Sequence, residues 1–189
     1  MNLPNKLTLS RLVVTVFFVA ALTLQWPKSS TFALVFFLIA VLTDYLDGKI
    51  ARQRNLITDF GKLMDPLADK ILVASAFIIL TEKGAMPAWA VIVIISREFL
   101  ITGLRTLASA KSVVLPAEKI GKHKTAWQMV TAIFFLLLLA VGDWSSTNAS
   151  WYQFAWNKVG AFLVYGTTAL TLYSGLAYLW RHRNLIDER

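Results

Sequence analysis

Cysteine is absent from the 189 residues, and histidine is nearly so, with only His123 and His182. The first absence excludes disulfides, thiolate nucleophiles and Cys-based zinc or iron–sulfur centres. The second excludes a metal site rich in His. Acid is scarce too, with 11 Asp and Glu against 19 Lys and Arg, a formal net charge of +8. There is no internal repeat, no low-complexity segment and no polar stretch long enough for a second domain, so residues 1–189 read as one domain. What fills the chain is apolar, at 57% of residues and a mean hydropathy of +0.58. A soluble domain is nearer about 45–50%.

The apolar residues fall into six stretches, roughly 10–26, 31–50, 63–82, 87–108, 124–142 and 157–180. Each is close to the ~20 residues that carry a helix across the hydrocarbon of a bilayer. The fold expected is therefore all-α and integral to a membrane, with six transmembrane helices. The cations give it a direction. Lys6, Arg11, Lys49, Arg52, Arg54, Lys62, Lys70, Arg97, Arg105, Lys111, Lys119, Lys122, Lys124, Arg181, Arg183 and Arg189 fall on one side of a six-span arrangement. Only Lys28, Lys83 and Lys158 fall on the other. By the positive-inside rule both termini lie in the cytoplasm. Trp26, Trp89, Trp144, Trp151 and Trp156 gather near the opposite interface, as an aromatic belt does. The first stretch follows Lys6 and Arg11 but runs long, lacks a convincing small-x-small cleavage site and leads into five more spans, so it is expected to stay as a span. Membrane orientation already explains the basic excess, and no recognition motif accompanies it, so nucleic acid is not an expected partner.

Against this background four aspartates stand out. Asp44 and Asp47 close one apolar stretch, and Asp65 and Asp69 open the next, all at the cytoplasmic end. Ionisable groups in such segments are costly and mark functional sites. On a helix, positions 44, 47, 48 and 51 share a face, which offers two carboxylates beside Gly48 and Ala51. Asp65 and Asp69 are one turn apart. The short connection from Gln53 to Phe60 makes the two helices antiparallel neighbours, so the carboxylate pairs can face each other. Their mutual repulsion is relieved by divalent cations between them, and an all-oxygen donor set favours Mg²⁺ or Mn²⁺. Two such ions can clamp an in-line phosphoryl displacement. Gly48 and Ala51 leave room for a ligand to approach closely, and Arg52 can grip a phosphate bidentately. Metal-dependent phosphoryl transfer at a membrane interface follows. A cation channel or transporter using the same aspartates is the rival, although ion sites in transporters lie near the bilayer midplane.

The pattern D-x2-D-G-x2-A-R-x8-G-x3-D-x3-D, met at every fixed position from Asp44 to Asp69, resembles the signature of the CDP-alcohol phosphatidyltransferases. That resemblance implies a homodimeric six-helix membrane fold, preceded by a short interfacial amphipathic helix at the N-terminus. It implies two metal ions held by Asp44, Asp47, Asp65 and Asp69, with Asp69 also the base that deprotonates the acceptor hydroxyl. Asn5, Thr8, Gly48, Ala51, Arg52 and Thr58 would contact the CDP-bearing lipid. The stretches Leu3–Arg11, Ile95–Arg105 and Ile120–Gln128 are further similar to members acting on CDP-diacylglycerol and glycerol 3-phosphate, enzymes of the bacterial inner membrane. Serine, an inositol phosphate or phosphatidylglycerol remain alternative acceptors.

Glycerol 3-phosphate is dianionic near neutral pH, so its site should be basic. Arg97 and Arg105 lie on one helix, with Lys122 and Lys124 at the start of the next span, and these four are the candidates for its phosphate. Arg97 beside Glu98 equally suits a structural ion pair. His123, between two lysines, is expected at the interface, and Asp143 is expected to be solvated at the far side.

Overall fold

The computed structural model describes residues 3–24, 26–54, 59–110, 119–145 and 147–183, and the side chains of 8–24, 26–44, 64, 67–109, 121, 123–145 and 147–183. All regular structure among them is helical. The helices are α1 (Leu3–Thr23), α2 (Ser29–Arg54), α3 (Asp59–Glu82), α4 (Ala88–Ala110), α5 (Lys119–Gly142) and α6 (Ser150–Arg181), the last containing a π turn at Ala155–Val159.

Each of the six apolar stretches has become a helix. The separate N-terminal interfacial helix has not. Leu3 to Thr23 runs as one element, because its only helix breaker, Pro4, stands in the first turn, where a missing N–H costs nothing. Between α3 and α4 the chain stops on Gly84 at φ +75°. The Gly84 N–H donates to the Thr81 carbonyl and the Ala85 N–H to the Leu80 carbonyl (3.0 and 2.9 Å), a Schellman end followed by Pro87.

Asp143 is a second departure from expectation. Its Oδ2 accepts from the Thr31 backbone N–H (2.8 Å) and from the Thr31 hydroxyl (2.9 Å). The carboxylate thus shares the Thr31 N–H with the Lys28 carbonyl (3.1 Å) in the first turn of α2, where it also meets the positive end of the helix dipole. Trp144 Nε1 donates to the same hydroxyl at 3.0 Å, and Lys28 Nζ stands 3.5 Å from the centroid of the Trp144 ring.

Helix α1 packs along α2 and also against α3, whereas α2 and α3 touch each other only sparsely among the described residues. Over the described residues α1 thus lies as a wedge between α2 and α3, while at the motif end Asp44 and Asp69 remain within each other's field. The reason lies in the buried stripe of α1, Thr8, Arg11, Thr15, Phe18 and Leu22, which needs a helix on either side. Phe18 meets Phe37 of α2 with ring centroids 5.5 Å apart. Helix α5 packs on α2 and α6, and α4 packs on α6.

The surface inverts the usual order. Val16, Phe162 and Leu176 are each about two-thirds exposed, while Thr131 and Thr167 are fully buried and joined hydroxyl to hydroxyl at 2.7 Å between α5 and α6. Two helical stretches among the described residues, His123–Gly142 and Ser150–Arg181, are long and apolar enough to cross a membrane.

Candidate active site

Two of the four aspartates have described side chains, and the fold sets them on different helices at one end of the bundle. Asp44 on α2 is 46% exposed and lies 2.5 Å from the guanidinium of Arg11, which α1 buries to 1%. Asp69 on α3 is partly buried and feels the charges of Asp44, Arg11, Glu98 and Lys124. Asp47, Gly48, Ala51 and Arg52 belong to α2, Asp65 to α3, Asn5 to α1 and Lys122 to α5. Their side chains lie outside the described set, and Thr58 lies outside the described residues altogether. Because α2 continues unbroken to Arg54, the helical register that groups 44, 47, 48 and 51 holds. Thr8 is buried on α1 one turn before Arg11.

Beside Asp69 opens a cavity of about 510 Å³. Asp69 and Lys70 line it from α3, Arg97, Glu98 and Arg105 from α4, and Lys124 from α5. Glu98 organises this layer. Its Oε1 accepts from Lys124 Nζ and, at 3.3 Å, from Arg97 Nη1. One turn on, the Thr102 hydroxyl donates to the Glu98 carbonyl at 2.7 Å and accepts from Lys70 Nζ. Arg105 Nε donates to the Tyr178 hydroxyl at 3.3 Å, and its guanidinium stands 5.6 Å from the centre of that ring. Lys124 is 3% exposed, so it leaves the protein for solvent hardly at all.

The cavity thus gathers four cations, with one carboxylate that bonds two of them and another, Asp69, that belongs to the aspartate motif. Arg97, Arg105 and Lys124 were legible as acceptor candidates, and all three line the cavity. Lys70, Glu98 and Tyr178 also line it and were not assigned to it, nor was Arg11 assigned as the partner of Asp44. Arg11 had a signal, the three-residue spacing of Asn5, Thr8 and Arg11; Glu98 had its neighbour Arg97. Lys70 and Tyr178 had none, since their partners are distant in sequence. His123 is exposed.

Comparison with known proteins places this arrangement. The family model for CDP-alcohol phosphatidyltransferase matches residues 1–174, and the chain belongs to that family. Similar proteins carry the name CDP-diacylglycerol–glycerol-3-phosphate 3-phosphatidyltransferase. One from Bacillus subtilis (strain 168) is 44% identical over 149 residues, covering 72% of this chain and 77% of its own. One from Rickettsia bellii (strain RML369-C) is 34% identical, covering 94% of this chain and 93% of its own. One from Salmonella paratyphi A (strain ATCC 9150 / SARB42) is 34% identical over 194 residues, covering 99% and 98%.

Proposed function

We propose that the chain transfers the phosphatidyl group of CDP-diacylglycerol to glycerol 3-phosphate, giving phosphatidylglycerophosphate and CMP. The observation that carries this reading is the cavity that sets Asp69 against Lys70, Arg97, Arg105 and Lys124. It offers an anion site and a proton acceptor within one enclosure, as a phosphorylated alcohol requires.

The donor set suits hard divalent cations. Asp44 and Asp69 bring carboxylate oxygens from two helices into electrostatic contact, Asp47 and Asp65 share their faces by register, and the chain has no thiolate to compete. Mg²⁺ or Mn²⁺ held by these four would supply charge neutralisation on the diphosphate and on the departing CMP oxygen. Asp69 takes the proton of the acceptor's C1 hydroxyl. That oxygen then bonds to the phosphorus bearing the lipid, and the bond from this phosphorus to the CMP oxygen breaks, the electron pair leaving with CMP. Arg105, with Lys122, Arg97 and Lys124, holds the acceptor phosphate. Asn5, Thr8, Gly48, Ala51, Arg52 and Thr58 border the CDP moiety.

The apolar exterior with hydroxyls buried inside supports an integral protein whose six helices, one domain over 1–189, span the bacterial inner membrane. The sites and both termini would face the cytoplasm, and the assembly would be a homodimer.

The test is CMP release by purified protein with CDP-diacylglycerol, Mg²⁺ and each acceptor in turn. Release with glycerol 3-phosphate, abolished by EDTA, is expected. Release only with serine, an inositol phosphate or phosphatidylglycerol would keep the chemistry and overturn the acceptor.

A further inference from the structure

Behind the charged cavity lies a smaller chamber of about 40 Å³ that shares Asp69, Lys70, Glu98 and Thr125 with it. The rest of its wall is set one helical turn deeper. Val73 follows Asp69 on α3, Ile94 precedes Glu98 on α4, and Gln128 follows Lys124 on α5, each four residues away. Val73, Phe77 and Ile94 make that deeper layer apolar. Gln128 is the exception. It is 3% exposed, lines the chamber, and its Nε2 has no hydrogen-bond partner.

An amide buried among Val, Ile and Phe with an idle donor is unfavourable unless something arrives to meet it. The chamber has room for a small polar group such as a hydroxyl. It shares Asp69 with the charged cavity, and the proposed mechanism puts the acceptor's attacking oxygen at Asp69. In glycerol 3-phosphate the carbon next to the one bearing that oxygen carries a second hydroxyl, within a hydrogen bond's length of the first.

We propose that Gln128 is a specificity-determining residue that binds the C2 hydroxyl of the acceptor in this chamber. The inference rests on glycerol 3-phosphate being the acceptor. It gives the pocket a way to tell a glycerol phosphate from a phosphorylated alcohol without that hydroxyl, a discrimination the phosphate-binding cations cannot make. A site with a buried polar group penalises the analogue that leaves it unpaired.

The experiment compares kcat/KM for glycerol 3-phosphate and for 3-hydroxypropyl phosphate, which lacks only the C2 hydroxyl, in the wild-type protein and in Gln128→Leu. The wild type is expected to favour glycerol 3-phosphate by roughly tenfold. Gln128→Leu should lose about that factor on glycerol 3-phosphate and keep its rate on 3-hydroxypropyl phosphate, so the preference disappears. Equal losses on both acceptors would assign Gln128 a structural role and overturn the proposal. A wild type indifferent to the two acceptors overturns it as well, whatever the variant does. Should Gln128→Leu fail to accumulate, Gln128→Met, similar in length and without the amide, takes its place. Absence of wild-type turnover with glycerol 3-phosphate, alongside turnover with another acceptor, would instead fault the acceptor assignment itself.

Discussion

Gly175 of α6 lies so close to Arg97 of α4 that a Cβ built on it would stand 2.8 Å from the Arg97 Cγ. The stem of Arg97 occupies the space that any larger residue would fill, and this holds its guanidinium against Glu98. Gly175→Ala should therefore push Arg97 out of the charged cavity beside Asp69. The KM for glycerol 3-phosphate should rise about three- to tenfold, with the KM for CDP-diacylglycerol unchanged. Steady-state kinetics with each substrate varied would check it, and equal changes in both would mean that the helices moved instead.

Tyr178→Phe removes the oxygen that receives Arg105 Nε but keeps the ring beneath the guanidinium. A rise of about fivefold in the glycerol 3-phosphate KM is expected. In an Arg105→Ala background the same change should add nothing, because the two act through one contact.

Asp69→Asn keeps the shape of the side chain and removes its basicity. Turnover should fall by at least about 10²-fold, the usual contribution of a general base, and thermal unfolding in detergent should show a folded protein. Near-normal turnover would remove Asp69 from its role as base.

Arg11→Leu deletes the positive partner of Asp44. A cation beside a carboxylate opposes a second cation, so half-saturating Mg²⁺ should fall about threefold or more. Without metal, Asp44 and Asp69 would then repel with less to offset them. The thermal midpoint should drop more in EDTA than in saturating Mg²⁺, and an equal drop in both would contradict this account.

Thr131 and Thr167 share a hydroxyl pair in a fully buried seam, so their valine substitutions should be coupled. A double-mutant cycle on unfolding in detergent should give about 0.6 kcal/mol, the mean for hydrogen bonds between membrane helices. No coupling would mean that Thr131, which also donates to the Trp127 carbonyl, is satisfied without its partner.

The helices were legible because apolar runs of membrane length end at Pro27, Gly84 and Pro87, which act locally. The fusion of the N-terminal segment into α1 was less so, since positive charges at Lys6 and Arg11 suggest an interface while nothing after Pro4 interrupts the helix. The aspartate motif could be read from spacing alone. The machinery around it could not. Lys124 reaches Glu98 across 26 residues, Lys70 reaches Thr102 across 32, and Arg105 reaches Tyr178 across 73. Contacts of that range depend on how helices pack, which periodicity does not encode. Asp143 was misjudged for the same reason: its partner Thr31 is 112 residues away.

The grip of Asp143 on Thr31 makes α2 a lever with its fulcrum at the far end of the bundle. Asp44 lies 13 residues further along, about 20 Å at 1.5 Å per residue, so a tilt of only about 5° at Thr31 carries its carboxylate nearly 2 Å. Any lean of α2 would therefore be felt most at Asp44 and least at Thr31, so the packing of α2 against α1 and α5 is what fixes where that carboxylate stands.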